Sequence, residues 1–72
     1  MNERSMMQLT VNGQPRELAE GSTIADLLSE LELDPRTLAV ERNLDLVPRA
    51  KHAETQLAAG DRVEVVTLVG GG

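Results

Sequence analysis

Met7, Leu9 and Val11 alternate with Gln8 and Thr10, the period of a strand with one buried face. Asn12-Gly13 follows, and two residues that tolerate positive φ between apolar runs predict a type I′ hairpin turn. The return strand is expected over Gln14 to Ala19, with Pro15 near its start, where a lost donor is tolerated. Residues 1–6 carry no such pattern and are expected to form a loose leader, with the domain spanning 7–69.

Glu20-Gly21-Ser22-Thr23 reads as a turn into a helix. Ser22 or Thr23 is placed to cap the first free amides, and Thr23-x-x-Asp26 has capping-box spacing. Ile24, Leu27, Leu28 and Leu31 fall at i, i+3, i+4 and i+7, one apolar stripe. Asp26, Ser29, Glu30 and Glu32 take the wet side. Pro35 disfavours a helical Asp34, so the helix should stop near Glu32.

Beyond Pro35, Leu38 to Arg42 reads as a third strand, Asn43-Leu44-Asp45 as a turn, and Leu46-Val47-Pro48 as a short fourth strand. Arg49 to Ala59 mixes charge with small residues, a loop holding at most one helical turn. Gly60-Asp61 is a second sharp turn, and the last strand is predicted from Arg62 to Val69. Val63 and Val65 alternate with charge there, but Val66, Leu68 and Val69 put apolar groups on both faces. Burial on both sides, a register-shifting bulge and an exposed docking patch all fit that irregularity. A hairpin, one helix and three further strands predict an α+β domain, a mixed four- to five-stranded sheet under one amphipathic helix. With the first and last strands parallel neighbours, this is the ubiquitin-like β-grasp architecture.

At 72 residues there is room for one small domain of modest stability. Leu, Val and Ile make up 19 residues, enough to argue against disorder. No cysteine is present, hence no disulfide and no thiol nucleophile or ligand. No signal peptide or membrane-length apolar run appears, so a cytoplasmic location is expected. A net charge of −5 and the absence of aromatic residues leave neither a basic footprint nor a stacking platform for nucleic acid. A protein partner with a basic or apolar surface fits better. His52 and Lys51 read as solvated loop groups, and no triad, metal cluster or phosphate loop is legible.

The chain closes on Gly70-Gly71-Gly72. Three glycines pack nothing and lose more freedom on ordering than other residues, so they add nothing to a fold. They span about 10 Å when extended, and without Cβ atoms they can thread a narrow channel. Such a channel would receive the Gly72 carboxylate. The plain alternative is an idle chain end.

Val11-Asn12-Gly13 with Glu17 to Leu28, Ala39 to Asn43 with Val47-Pro48-Arg49, and Leu57-x-x-Gly60-Asp61-Arg62-Val63-Glu64 with Val69 to Gly72 together resemble the ThiS family of sulfur carriers in thiamin biosynthesis. The resemblance covers Met7 to Gly72. It implies a β-grasp carrier with no catalytic residue or bound cofactor of its own. An E1-like adenylyltransferase (ThiF) would activate Gly72 with ATP and Mg. An upstream sulfur donor protein would convert the acyl-adenylate to a thiocarboxylate, and thiazole synthase (ThiG) would take the sulfur. Gly70, Gly71 and Gly72 would enter the partner's active site, with Val66, Leu68, Val69 and Arg49 as docking residues. The chain is expected to be monomeric when free, away from nucleic acid and membrane. A MoaD-type carrier for molybdopterin synthesis or a ubiquitin-like protein modifier would share the tail chemistry. A β-grasp binding or regulatory module with an idle tail is the third reading.

Overall fold

The computed structural model describes residues 5–68. Five strands form one mixed sheet in the order β2-β1-β5-β3-β4. They are β1 (Met6–Val11), β2 (Gln14–Ala19), β3 (Leu38–Arg42), β4 (Asp45–Val47) and β5 (Arg62–Thr67). The one α-helix among the described residues, α1 (Ile24–Glu30), covers one face. β1 and β5 are parallel neighbours, through Thr10↔Arg62 and Val11↔Val63, while every other pair is antiparallel. The expected β-grasp arrangement is therefore present, with five strands.

The hairpin forms at the predicted turn, where Asn12 and Gly13 have φ of 52° and 81°, as a type I′ turn requires. Met6 stands opposite Ala19 in β1, so the strand takes in a residue that the sequence pattern assigns to the leader. The edge position of β2 exposes both faces of Gln14 to Glu17 and lets Pro15 sit without a lost ladder bond.

The Thr23 side chain accepts from the Asp26 amide at 3.1 Å, and Asp26 Oδ2 accepts from the Thr23 amide at 2.9 Å. This reciprocal capping box fixes the start of α1. The helix caps at Leu31, and Glu32 turns to a φ of 58°. Ile24, Leu27 and Leu28 on α1 pack onto Met7, Leu9 and Val11 of β1, Leu38 and Val40 of β3, and Val63 of β5. Fully burying each such aliphatic side chain contributes about 1.5–3 kcal/mol, and this all-aliphatic core needs no aromatic residue.

The segment after β4 is more ordered than its composition suggests. A 3₁₀ turn over Arg49–Lys51 leads into a strap across the helix start, where the Ile24 amide donates to Thr55 O and the Ala25 amide to His52 O. That strap overturns the reading of His52 as a solvated group, since the residue is only 4% exposed. Its backbone is tied to α1 and its ring is turned inward, where Nε2 donates to the Val47 carbonyl at 3.2 Å.

Candidate functional site

β5 joins the core to the tail. Its odd residues Val63 and Val65 pack inward, whereas Val66 and Leu68 face away from α1 and stay 53% and 56% exposed. Pairing with β3 runs without a break from Arg42↔Val63 to Leu38↔Thr67. No bulge shifts the register, and the doubled apolar run is an exposed patch. Ala39 opposite Val66 lies on the same face, as does Leu46 on β4, 64% exposed. Glu41 and Glu64, directly opposite each other, border the patch. Two like charges across a ladder are unfavourable for the sheet, and they give the patch an acidic rim.

The beginning of β5 is held by a buried carboxylate. Asp61 is 6% exposed. It accepts from Arg42 Nε at 2.8 Å, Asn43 Nδ2 at 3.1 Å and the Ala58 amide at 2.8 Å. Burial disfavours its charged form, but the Ala58, Asn43 and Arg42 hydrogen bonds outweigh burial and hold the carboxyl below its ordinary range. Asn43 returns the connection by accepting from the Arg62 amide at 2.9 Å.

Further along, support thins. β1 ends opposite Val63, and the side chain of Asn12 takes over. Its Oδ1 accepts from the Val65 amide at 2.8 Å and its Nδ2 donates to the Val65 carbonyl at 3.3 Å. Past that point β5 is held by β3 and by the Leu68 amide donating to Thr37 O at 2.8 Å. Thr37 belongs to a 3₁₀ turn capped by Asp34. The side-chain hydrogen bond from Arg36 leads the lowering of the Asp34 carboxyl to about 2.

Of the expected docking residues, Val66 and Leu68 share one face. Arg49 stands on the helix side, where it lines a hollow of about 420 Å³ with Leu28, Leu33, Pro35 and His52, so the structure does not bring it to Val66 and Leu68. Val69 and the tail Gly70, Gly71 and Gly72 lie outside the described residues. The sequence reading missed Asp61 and the side-chain role of Asn12. Asn12 was visible only as a turn residue, and Asp61 only as part of a turn, because two of its three partners, Arg42 and Asn43, lie some twenty residues away. No described helix is long and apolar enough to cross a membrane.

Comparison with known proteins adds the lineage. The ThiS family matches residues 9–72. The thiazole synthase of Paramagnetospirillum magneticum is 42% identical over 92% of this chain. The chain spans only 20% of the length of that protein, and the same share of the thiazole synthase of Magnetococcus marinus. The sulfur carrier protein ThiS of Escherichia coli is 30% identical over 92% of this chain and 100% of its own. The crystal structure of the thiamine biosynthesis protein ThiS from Geobacter metallireducens superposes with a TM-score of 0.80 at 36% identity, covering 92% of this chain and 100% of that one.

Proposed function

This chain belongs to the ThiS family, and from that premise we propose that it is a sulfur carrier for thiamin biosynthesis whose working group is the Gly72 carboxylate. The observation that carries the reading is the reach of the family match, which takes in Gly70, Gly71 and Gly72. A carboxylate is a poor acyl donor because its leaving group would be oxide. Attack of the Gly72 carboxylate on ATP forms a mixed anhydride with AMP and releases pyrophosphate, which supplies a good leaving group. Sulfide-level sulfur from the donor then attacks the same carbon and AMP leaves, giving a thiocarboxylate that is ionised at neutral pH and nucleophilic. ATP and Mg belong to the ThiF-type adenylyltransferase, and the carrier contributes no catalytic side chain.

The domain's own part is presentation. Val66, Leu68 and Leu46 form the docking face at the base of the tail, and the acidic rim of Glu41 and Glu64 favours a partner with basic groups around an apolar centre. Glycines let the last acyl carbon pass through a channel that side chains would block. The thiazole synthases that share this sequence over part of their length support a thiazole synthase as the sulfur acceptor.

Intact-mass measurement tests the reading. Incubated with a ThiF-type adenylyltransferase, ATP, Mg and a sulfur source, the chain gains the mass difference of one sulfur for one oxygen. A variant with one residue added after Gly72 folds normally and gains nothing. An unchanged mass for the native chain beside an active partner overturns the proposal.

A further inference from the structure

Asn12 does more than turn the first hairpin. In β5 the even residues point their backbone groups at β3, as the Asn43 amide to Arg62 O and the Leu68 amide to Thr37 O bonds show. The odd ones point toward β1, where Thr10 donates to Asp61 O and the Asn12 amide to Val63 O. At Val65 the β1 backbone has already turned away into the hairpin. An asparagine side chain carries the same donor and acceptor as a peptide group, and here it takes both Val65 positions. At Thr67, the next odd residue, no described residue plays that part. Val65 is thus the last residue of β5 gripped from both sides.

We infer that Asn12 is a positioning residue for the tail, its side-chain amide fixing the point past which β5 runs on toward the tail held from the β3 side alone. The inference rests on the carrier reading above. With Asn12 in place, Val66, Thr67 and Leu68 are the described residues beyond the double grip, and pairing with β3 and the Leu68 amide on Thr37 O hold them from one side. Without its side chain the double grip retreats to Val63, and Glu64 and Val65 join the stretch held by β3 alone, about 7 Å more chain that can open with it. A partner that threads the tail must then order that extra chain, which weakens capture. Asn12 supplies no group to the proposed chemistry at Gly72, so the chemical step should be unaffected.

Substitution at this position is compatible with the turn. Glycine adopts the φ of 52° found at Asn12 without strain, and aspartate tolerates it while keeping only the acceptor for the Val65 amide. The test measures steady-state kinetics of a ThiF-type adenylyltransferase with the carrier as varied substrate, alongside amide hydrogen exchange. Asn12→Gly should raise KM about tenfold and Asn12→Asp about threefold, with kcat unchanged, as expected for losing two or one modest hydrogen bonds. Exchange at Val65 should accelerate while Leu9 and Val40 stay protected. A KM for Asn12→Gly within twofold of the native value overturns the inference. So does a loss of protection at Leu9 and Val40, because the residue would then serve overall stability alone. If the native chain itself is never adenylated, the carrier reading fails and takes this inference with it. An active native chain matched by Asn12→Gly defeats only the inference.

Discussion

The two ends of β5 are built on opposite terms. At Arg62 and Val63 the strand is gripped by β1, by β3 and by the buried carboxylate of Asp61 with its three hydrogen bonds. At Thr67 and Leu68 it hangs from β3 on one side, with Val66 and Leu68 open to solvent. One strand therefore carries both a buried, multiply hydrogen-bonded fastening and an open apolar face. The difference teaches how a small fold can offer a surface without loosening itself, because the cost of exposure at one end is offset by over-determination at the other.

Breaking the tied end should give the largest effect. Asp61→Ala leaves Arg42, Asn43 and the Ala58 amide without their acceptor, and about 2–3 kcal/mol of stability should be lost. For a domain of this size that lowers Tm by roughly 8–20 °C, measurable by circular dichroism. The same carboxylate sets an acid limit. Its folded-state pKa is depressed, so its contribution is fully present above the ordinary carboxylate range and is lost as pH falls through the lowered value. Asp61→Asn should flatten that part of the stability–pH curve. An unchanged slope would show that other carboxylates dominate.

At the open end the effect should move from stability to binding. Val66→Asp puts a charge in the middle of the patch without entering the core. Calorimetry with a ThiF-type adenylyltransferase, the proposed partner, should show affinity weakened about tenfold or more, with Tm within a few degrees of native. A large fall in Tm with unaltered affinity would abolish the contrast drawn between the two ends. The smallest effect belongs to the rim. Glu64→Gln removes one of two facing carboxylates and should stabilise the sheet by about 0.2–1 kcal/mol. It should also slow association at low salt, and added salt should shrink that difference.

The sequence shows elements more clearly than their neighbours. The hairpin, the capping box of Thr23 and Asp26, and the break before Pro35 are local events, each written in a few adjacent residues. The irregular apolar run in β5 was visible, but its meaning depended on whether anything covered the outer sheet face. His52 misleads for a similar reason. Charged residues surround it in the chain, while its environment is set by Val47 and by the strap bonded to α1. Arg49 lies only one residue past Pro48, yet the 3₁₀ turn carries it to the helix side. Met6 has nothing in its own pattern to mark it as strand and is recruited by Ala19 across the hairpin. For Met6 and for the strap that holds His52, the deciding contacts, with Ala19 and with the start of α1, are remote in sequence.

The central place of β5 in the order β2-β1-β5-β3-β4 bears on biosynthesis. The two hairpins can close early, since each joins neighbours in the chain, but they remain halves of a sheet until β5 slides between them. A chain that has not yet made β5 has no middle strand, and hence no joined sheet for α1 to cover. Under the carrier proposal, the strand that leads to the reacting end is also the one whose arrival completes the fold.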